Sequence, residues 1–290
     1  MTIITPTDAG AIARSENRAW TKLKSNKAAL AGFCIVIFFI AAAFLAPILP
    51  IADPNATSWS AIRQAPSALH WMGTDEIGRD IFSRMIFGAQ ASLLAGVVSV
   101  AIAVALGVPL GLISGYFGGW TDQIIQRLTD ALLAMPFLIL AIALAAFLGP
   151  SLTNAMIAIG LSAMPIFIRL TRGQVLAVKT EDYVEGARAI GLSHAKIIRR
   201  YILPNVIAPI LVQATLTVAT AIIAEASLSF LGLGQQPPAP SWGSMLNTAK
   251  NFLAQAPWMA LWPGIAIFLV VIGFNLLGDG LRDALDPREN

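Results

Sequence analysis

Side chains able to do chemistry are sparse in these 290 residues. The two histidines, His70 and His194, and the single cysteine, Cys34, form neither a Cys/His metal-ligand pattern nor an internal disulfide. No G-x-x-x-x-G-K-[ST] run occurs, so the chain carries no phosphate-cradling loop of its own. H-E-x-x-H and G-x-S-x-G are missing too, which disfavours an intramembrane protease or a lipid hydrolase. What remains is charge placed in three groups. Asp75, Arg79, Asp80 and Arg84 repeat at i, i+4 distances, which predicts a surface helix whose charges pair with one another in preference to touching a substrate. Glu225 closes a long apolar run, placed to bind an amine or to be solvated. The densest group lies at 169–204, where acids at 181, 182 and 185 precede a basic run ending in Arg199 and Arg200.

These residues must be held by elements made almost wholly of apolar side chains. The hydrophobic set is 57% of the chain and charged residues only 12%, whereas soluble domains carry about 25% charge. A chain with so little charge cannot coat a water-facing surface, and it is far too apolar to be disordered. Uncharged stretches run from Lys27 to Asp53, Arg84 to Asp122, Asp130 to Arg169, Arg200 to Glu225 and Lys250 to Asp279. A helix needs about 20 residues to cross the hydrocarbon core. Gly149-Pro150-Ser151 divides the third stretch into two. The expectation is an all-α integral membrane protein with six transmembrane helices, near 28–50, 91–113, 130–148, 153–170, 206–224 and 259–277. The first is too long for a cleaved signal core and is read as a retained helix.

The +3 net charge is distributed unevenly. Arg14, Arg18, Lys22, Lys24, Lys27, Arg127, the 169–204 run, Arg282 and Arg288 fall on one side, against Arg63, Arg79, Arg84 and Lys250 on the other. By the positive-inside rule both termini are cytoplasmic. The basic balance therefore reports topology, and nucleic acid is set aside as a partner. The expected order is a cytoplasmic segment at 1–27, a first span at 28–50 and an external loop at 51–90. A five-helix core at 91–278 follows, with a cytoplasmic segment at 171–204 and an external loop at 225–258, and then a cytoplasmic tail at 279–290. Trp59, Trp71, Trp242, Trp258 and Trp262 fall where interfacial rings anchor. No ionisable residue lies at mid-depth in any span, which disfavours an ion-coupled carrier working alone. Ala91, Ala95, Ser99, Ala103, Gly107, Gly111 and Gly115 form a stripe of small residues four apart, suited to close helix packing within the chain or on a partner. Pro109, Pro136, Pro165, Pro209 and Pro263 fall in or near the later spans, where each can kink its helix.

In the 169–204 run, Thr180 can cap a short helix that Gly191 ends, and Ser193 a second that runs into Pro204. The bracket so formed is expected to present Tyr183, Val184, Ala187, Ile190 and Leu192 to a soluble partner, with His194 on its surface. Its residues resemble the EAA motif of ABC importer permeases: Glu185-Gly186-Ala187, three residues, Gly191, nine residues, then a run closing on Leu203-Pro204. Gly186 stands where the motif has alanine and Tyr201 where it has isoleucine. GTDEIGRDIFSR (73–84), GYFGGWTD (115–122), ASLSFLGLGQQPPAPSWGSML (226–246) and FNLLGDGLRDALDP (274–287) extend the similarity to the C-type permeases of dipeptide, oligopeptide and nickel importers.

The resemblance implies a type I ABC importer permease fold in a bacterial cytoplasmic (inner) membrane. It implies a heterodimer with a B-type permease, two cytoplasmic ATPase subunits and an extracytoplasmic substrate-binding protein, all acting within membrane lipid. Glu185, Gly186, Ala187, Gly191, Leu203 and Pro204 are then the ATPase-coupling residues, and Glu225, Asp75 and Arg79 candidate external or pathway residues. No cofactor is expected on this chain; ATP and Mg belong to the partners, and the chain is no enzyme. Short peptides are the expected cargo, with nickel or another small solute, or a non-transporting scaffold, as the alternatives.

Overall fold

The computed structural model describes residues 26–285. The predicted cytoplasmic residues before Asn26, and Arg288 in the tail, lie outside that range. Among the described residues the only β pairing is an isolated bridge between Thr74 and Asp80. The helices are α1 (Lys27–Leu45), α2 (Ile81–Phe117), α3 (Gly119–Leu133), α4 (Phe137–Leu148), α5 (Leu152–Val178), α6 (Asp182–Ala189), α7 (His194–Ile197), α8 (Leu203–Phe230), α9 (Trp242–Ala249) and α10 (Trp258–Leu285). A π-helical turn, Ile198–Ile202, joins α7 to α8. Among the described residues five helices are long and apolar enough to cross a membrane, or six spans if the bent pair α3–α4 counts as one.

Polar side chains set where the helices start. Asn26 Oδ1 accepts from the amides of Ala28 and Ala29 at α1, Asp80 Oδ2 from Ser83 at α2, and Ser151 Oγ from Asn154 at α5. α2 therefore begins ten residues before the predicted span at 91, because Asp80 and not the first apolar residue supplies the cap. The predicted span at 130–148 is broken: α3 and α4 meet at 91° around Ala134–Pro136. Pro136 has no amide to donate and bars its predecessor from the helical region, so the helix stops and restarts. Pro109, Pro165, Pro209 and Pro263 instead lie within continuous helices.

At the other extreme, α10 passes through Gly278 and Gly280 to Leu285 as one helix, past the expected start of the tail at 279. Gly278 is seated against Leu216 of α8, where a Cβ would lie 2.6 Å from Cδ2, so packing holds the glycine in the helix. The predicted loop 225–258 likewise contains the last turns of α8 and all of α9.

The stripe of small residues packs within the chain. Ala95, Ser99 and Ala103 are fully buried, and a Cβ on Gly107 would sit 2.8 Å from the Met164 carbonyl and the Phe167 Cβ of α5. Gly160 of α5 answers it, its own Cβ position 2.8 Å from Ile102 and the Ser99 carbonyl. Dispersion and close backbone approach drive such contacts where lipid is as apolar as the side chains. α1 lies on α10 through Gly32 and Gly273 in the same manner. The bundle keeps the α6–α7 bracket at one end and residues 46–80 and 231–257 at the other, called here the loop end.

Candidate functional site

The bracket is built from local rules. Asp182 and Glu185 fall in the first turn of α6, at the positive end of its dipole, and Arg188 in the last. Glu181 is the N-cap residue without a side-chain cap; Thr180, expected to cap, donates instead to the Ala177 carbonyl. Gly191 ends the helix with φ +77°. The Leu192 amide bonds the Ala187 carbonyl and the Gly191 amide the Arg188 carbonyl, which is a Schellman closure needing a left-handed residue at 191. Further on, the Leu203 amide reaches back to the Ile198 carbonyl, five residues away. Pro204 follows with no amide to give, and Asn205 Nδ2 donates to the Tyr201 carbonyl at 2.7 Å.

Burial divides the bracket into two faces. Val184, Ala187, Ile197 and Ile202 point inward and are buried, so Val184 and Ala187 do not form the partner-facing surface predicted for them. The spacing of α6 puts residues three apart on one side, and that side is the one closed by the bundle. Glu185 and Gly186 are exposed, as are Tyr183 and Ile190, the latter 75% exposed. Leu203 is half-buried and Pro204 exposed at the entry to α8.

The structure adds a joint that the spacing of the motif did not disclose. His194 Nδ1 and the Tyr116 hydroxyl share a hydrogen bond of 2.8 Å, at the last turn of α2. Phe117 stands edge-on to the same imidazole, and the Arg188 guanidinium lies 5.8 Å from the centre of the Tyr116 ring. Lys179 Nζ donates to the Gly115 carbonyl at 2.9 Å, where a cation suits the negative end of α2. Three bracket-side residues thus hold one helix end. Tyr116→Phe removes the hydroxyl and keeps the ring; the expected loss is about 0.5–1.5 kcal/mol, read as a lower midpoint in thermal unfolding of the purified protein. Next to the joint, Arg172 of α5 grips Asp122 of α3 with bonds of 2.6 and 2.7 Å, and Ser114 adds its hydroxyl to the same carboxylate.

At the loop end, Asp75, Arg79 and Arg84 are buried, and the i, i+4 charges do not lie on a surface helix. They form a turn. Asp75 Oδ1 accepts the amides of Ile77 and Arg79, and Gly78 turns the chain at φ +78° with no room for a Cβ beside the Ser58 carbonyl. Asp75 Oδ2 receives Arg79 Nε at 2.6 Å and faces Arg84 Nε at 3.5 Å, while Arg79 also binds Glu76 at 2.7 Å. Burial and the adjacent Asp75 charge push the Glu76 carboxyl above its ordinary value. Arg84 Nη1 then ties in the Pro54 and Pro238 carbonyls. His70 Nδ1 contacts Asp80 Oδ1 at 2.9 Å. Asp75→Ala strands two buried guanidinium groups, and the expected cost is about 3–5 kcal/mol, seen as a collapse in the yield of monodisperse protein.

Glu225 is neither solvated nor open to a ligand: it is fully buried, with Ser92 and Ser229 hydroxyls on its two oxygens. Trp242, expected at the interface, is also fully buried and donates its indole N–H to the Met85 carbonyl at 3.1 Å.

A bundle of apolar helices whose polar bracket is keyed to the ends of its spans defines a multi-pass membrane protein. Two family descriptions match: "Binding-protein-dependent transport system inner membrane component" over residues 107–290, and "N-terminal TM domain of oligopeptide transport permease C" over 17–66. The chain belongs to the family of binding-protein-dependent transport system inner membrane components. It is 48% identical to the dipeptide transport system permease protein DppC of Alkalihalophilus pseudofirmus over 93% of this chain and 89% of that protein. It is 46% identical to the glutathione transport system permease protein GsiD of Escherichia coli over the same shares. Among solved structures, a chain of the inward-facing MetNI methionine ABC transporter matches with a TM-score of 0.58 at 20% identity, covering 71% of this chain and 98% of that one. That likeness shows a shared fold, the all-α permease architecture expected from the motif.

Proposed function

We propose that this chain is one of two permeases in an ATP-driven importer that moves dipeptides or other short peptides into the cytoplasm. The peptide cargo is supported by relatives named for dipeptide and glutathione transport. In this reading the bent pair α3–α4 counts as the sixth span and both termini are cytoplasmic, in a bacterial inner membrane. The proposed units are the cytoplasmic segment 1–27, the first span 28–50, the external loop 51–90, the core 91–278 and the tail 279–290. The bracket end faces the cytoplasm and the loop end the outside. A B-type permease completes the pathway, two ATPase subunits supply energy, and a binding protein delivers the peptide. ATP and Mg act on those ATPases; this chain binds no cofactor and catalyses nothing.

The observation that carries the proposal is the keyed bracket: an eight-residue helix with Tyr183 and Glu185 outward and Ile190 exposed at its C-cap, the bracket locked inward onto α2 by Tyr116 and His194. A partner pressing on the exposed face of α6 moves the ends of α2, α5 and α8 together. Glu185, Gly186, Ala187 and Gly191 set the shape of that face, and Leu203 and Pro204 its exit into α8. Asp75, Arg79 and Glu225 serve as buried supports of the external end. The test is reconstitution of the assembly with its ATPase, permease and binding-protein partners. Glu185→Lys, on an exposed site, is expected to leave insertion intact and to cut peptide uptake per ATP. Uptake at the parental ratio sinks the coupling assignment; uptake of nickel and no peptide sinks the cargo; recovery of the chain without any ATPase favours a scaffold.

A further inference from the structure

Glu225 sits where the coupling of the bracket does not reach, and its surroundings are unusually specific. It lies on α8, with Ser229 one turn later and Ser92 opposite on α2, and all three are nearly or fully closed to solvent. Ser229 Oγ donates to Glu225 Oε1 at 2.6 Å and Ser92 Oγ donates to Glu225 Oε2 at 3.1 Å. A hydroxyl has one proton and two lone pairs. With both protons turned to the carboxylate, only acceptor lone pairs remain on the two serines. Each then accepts a backbone amide of the same loop: Gln235 on Ser229 at 3.1 Å and Trp242 on Ser92 at 3.2 Å.

The loop is shaped for those two bonds. α8 closes at Gly232, φ +82°, with the Leu233 amide on the Leu228 carbonyl. Gly234 passes so near Ser229 that a Cβ would lie 2.0 Å from its Oγ, and Gly243 so near α8 that one would lie 2.6 Å from Ala226. Trp242 fills the space behind, edge-on to Phe39 at 5.5 Å. Between the two anchored amides stand Gln236 to Ser241, whose Pro238 carbonyl also meets Arg84.

From these contacts we infer that Glu225 is a positioning residue: through the two serine hydroxyls it fixes both ends of the 235–242 strap across the loop end. The inference rests on the proposed reading of that end as the external face, where the strap forms part of the surface that receives the delivered substrate. A glutamate fits because its two oxygens each accept from one hydroxyl. A glutamine has one acceptor oxygen, and its NH2 group must donate to the other serine, which unbalances one arm.

Amide hydrogen exchange on the full-length chain, purified with its co-purifying subunits, tests the inference directly. Ser92→Ala is expected to speed exchange at Trp242 and spare Gln235, and Ser229→Ala the reverse, each by roughly tenfold for a buried amide left without its acceptor. Glu225→Ala is expected to release both amides and Glu225→Gln, which keeps the side-chain volume, only one. In the reconstituted assembly Glu225→Gln is expected to raise severalfold the binding-protein concentration giving half-maximal uptake, with the maximal rate little changed. Parental protection of both amides in Glu225→Ala overturns the relay. Equal release of both amides by either single serine variant overturns it as well, since that pattern means general loosening. Released amides with unaltered binding-protein dependence overturn the positioning role. If the parent assembly moves no peptide, the proposed function fails while the exchange pattern still decides the relay.

Discussion

Gly111→Ala is expected to sharply reduce the folded protein recovered, while Gly173→Ala, the same change on the partner helix, leaves it intact or improved. At Gly111 of α2 a Cβ would stand 2.7 Å from the Ile168 carbonyl and the Thr171 Cβ, and 3.2 Å from the Arg172 amide. Backbone cannot move aside as a side-chain tip can, so α2 and α5 must separate. Overpacking of this kind costs about 1–3 kcal/mol and sometimes more. Here the damage spreads, because Arg172 on the displaced stretch holds Asp122 and with it α3. Gly173 has nothing within 4 Å of its Cβ position and ordinary helical φ. Alanine there gains about 0.5–1 kcal/mol of helix preference. Size-exclusion profiles of the two variants in detergent decide the matter. Equal recovery of both sinks the claim that this contact sets the α2–α5 distance.

Gly191→Val is expected to leave insertion and assembly in place and to uncouple the importer. The Cβ at 191 meets nothing, so no clash arises; the whole penalty is the left-handed backbone at φ +77°. For an L-residue that conformation costs about 1–2 kcal/mol, and a β-branched side chain makes it a genuine outlier. α6 is only eight residues long and its Schellman closure depends on residue 191. A loss of that size lowers the ratio of docked to undocked bracket roughly 5–30-fold. Peptide uptake per ATP in reconstituted assemblies should fall accordingly. Gly191→Asn, which tolerates the left-handed region, should keep most of it. Gly186→Ala should go the other way, since its Cβ position is open and its φ ordinary, restoring a better helix former on the exposed face. Uptake by Gly191→Val at the parental ratio sinks the requirement for this turn.

The amino-acid sequence by itself determined the all-helical membrane class, because charge so sparse leaves apolar helices no solvent but lipid. It also located the Gly149–Ser151 hairpin and the Gly191 break, since proline and glycine act through their own backbones. The bracket was legible for the same reason, as was the family, whose motif depends on those local features. Tertiary structure alone decided which face of α6 is buried, turning Val184 and Ala187 inward. Helical periodicity places residues on a face without saying which face meets the bundle. It also moved Asp75 and Arg79 from an expected surface helix into a buried turn, where backbone bonds to Asp75 outweigh i, i+4 pairing, and buried Arg84 at the start of α2. Tyr116 and His194 are far apart in the chain, and so are Ser92, Glu225 and Trp242. Hydrogen bonds between such residues exist only once α2 is packed against α7 and α8, because a bond of about 3 Å depends on positions that no local pattern specifies.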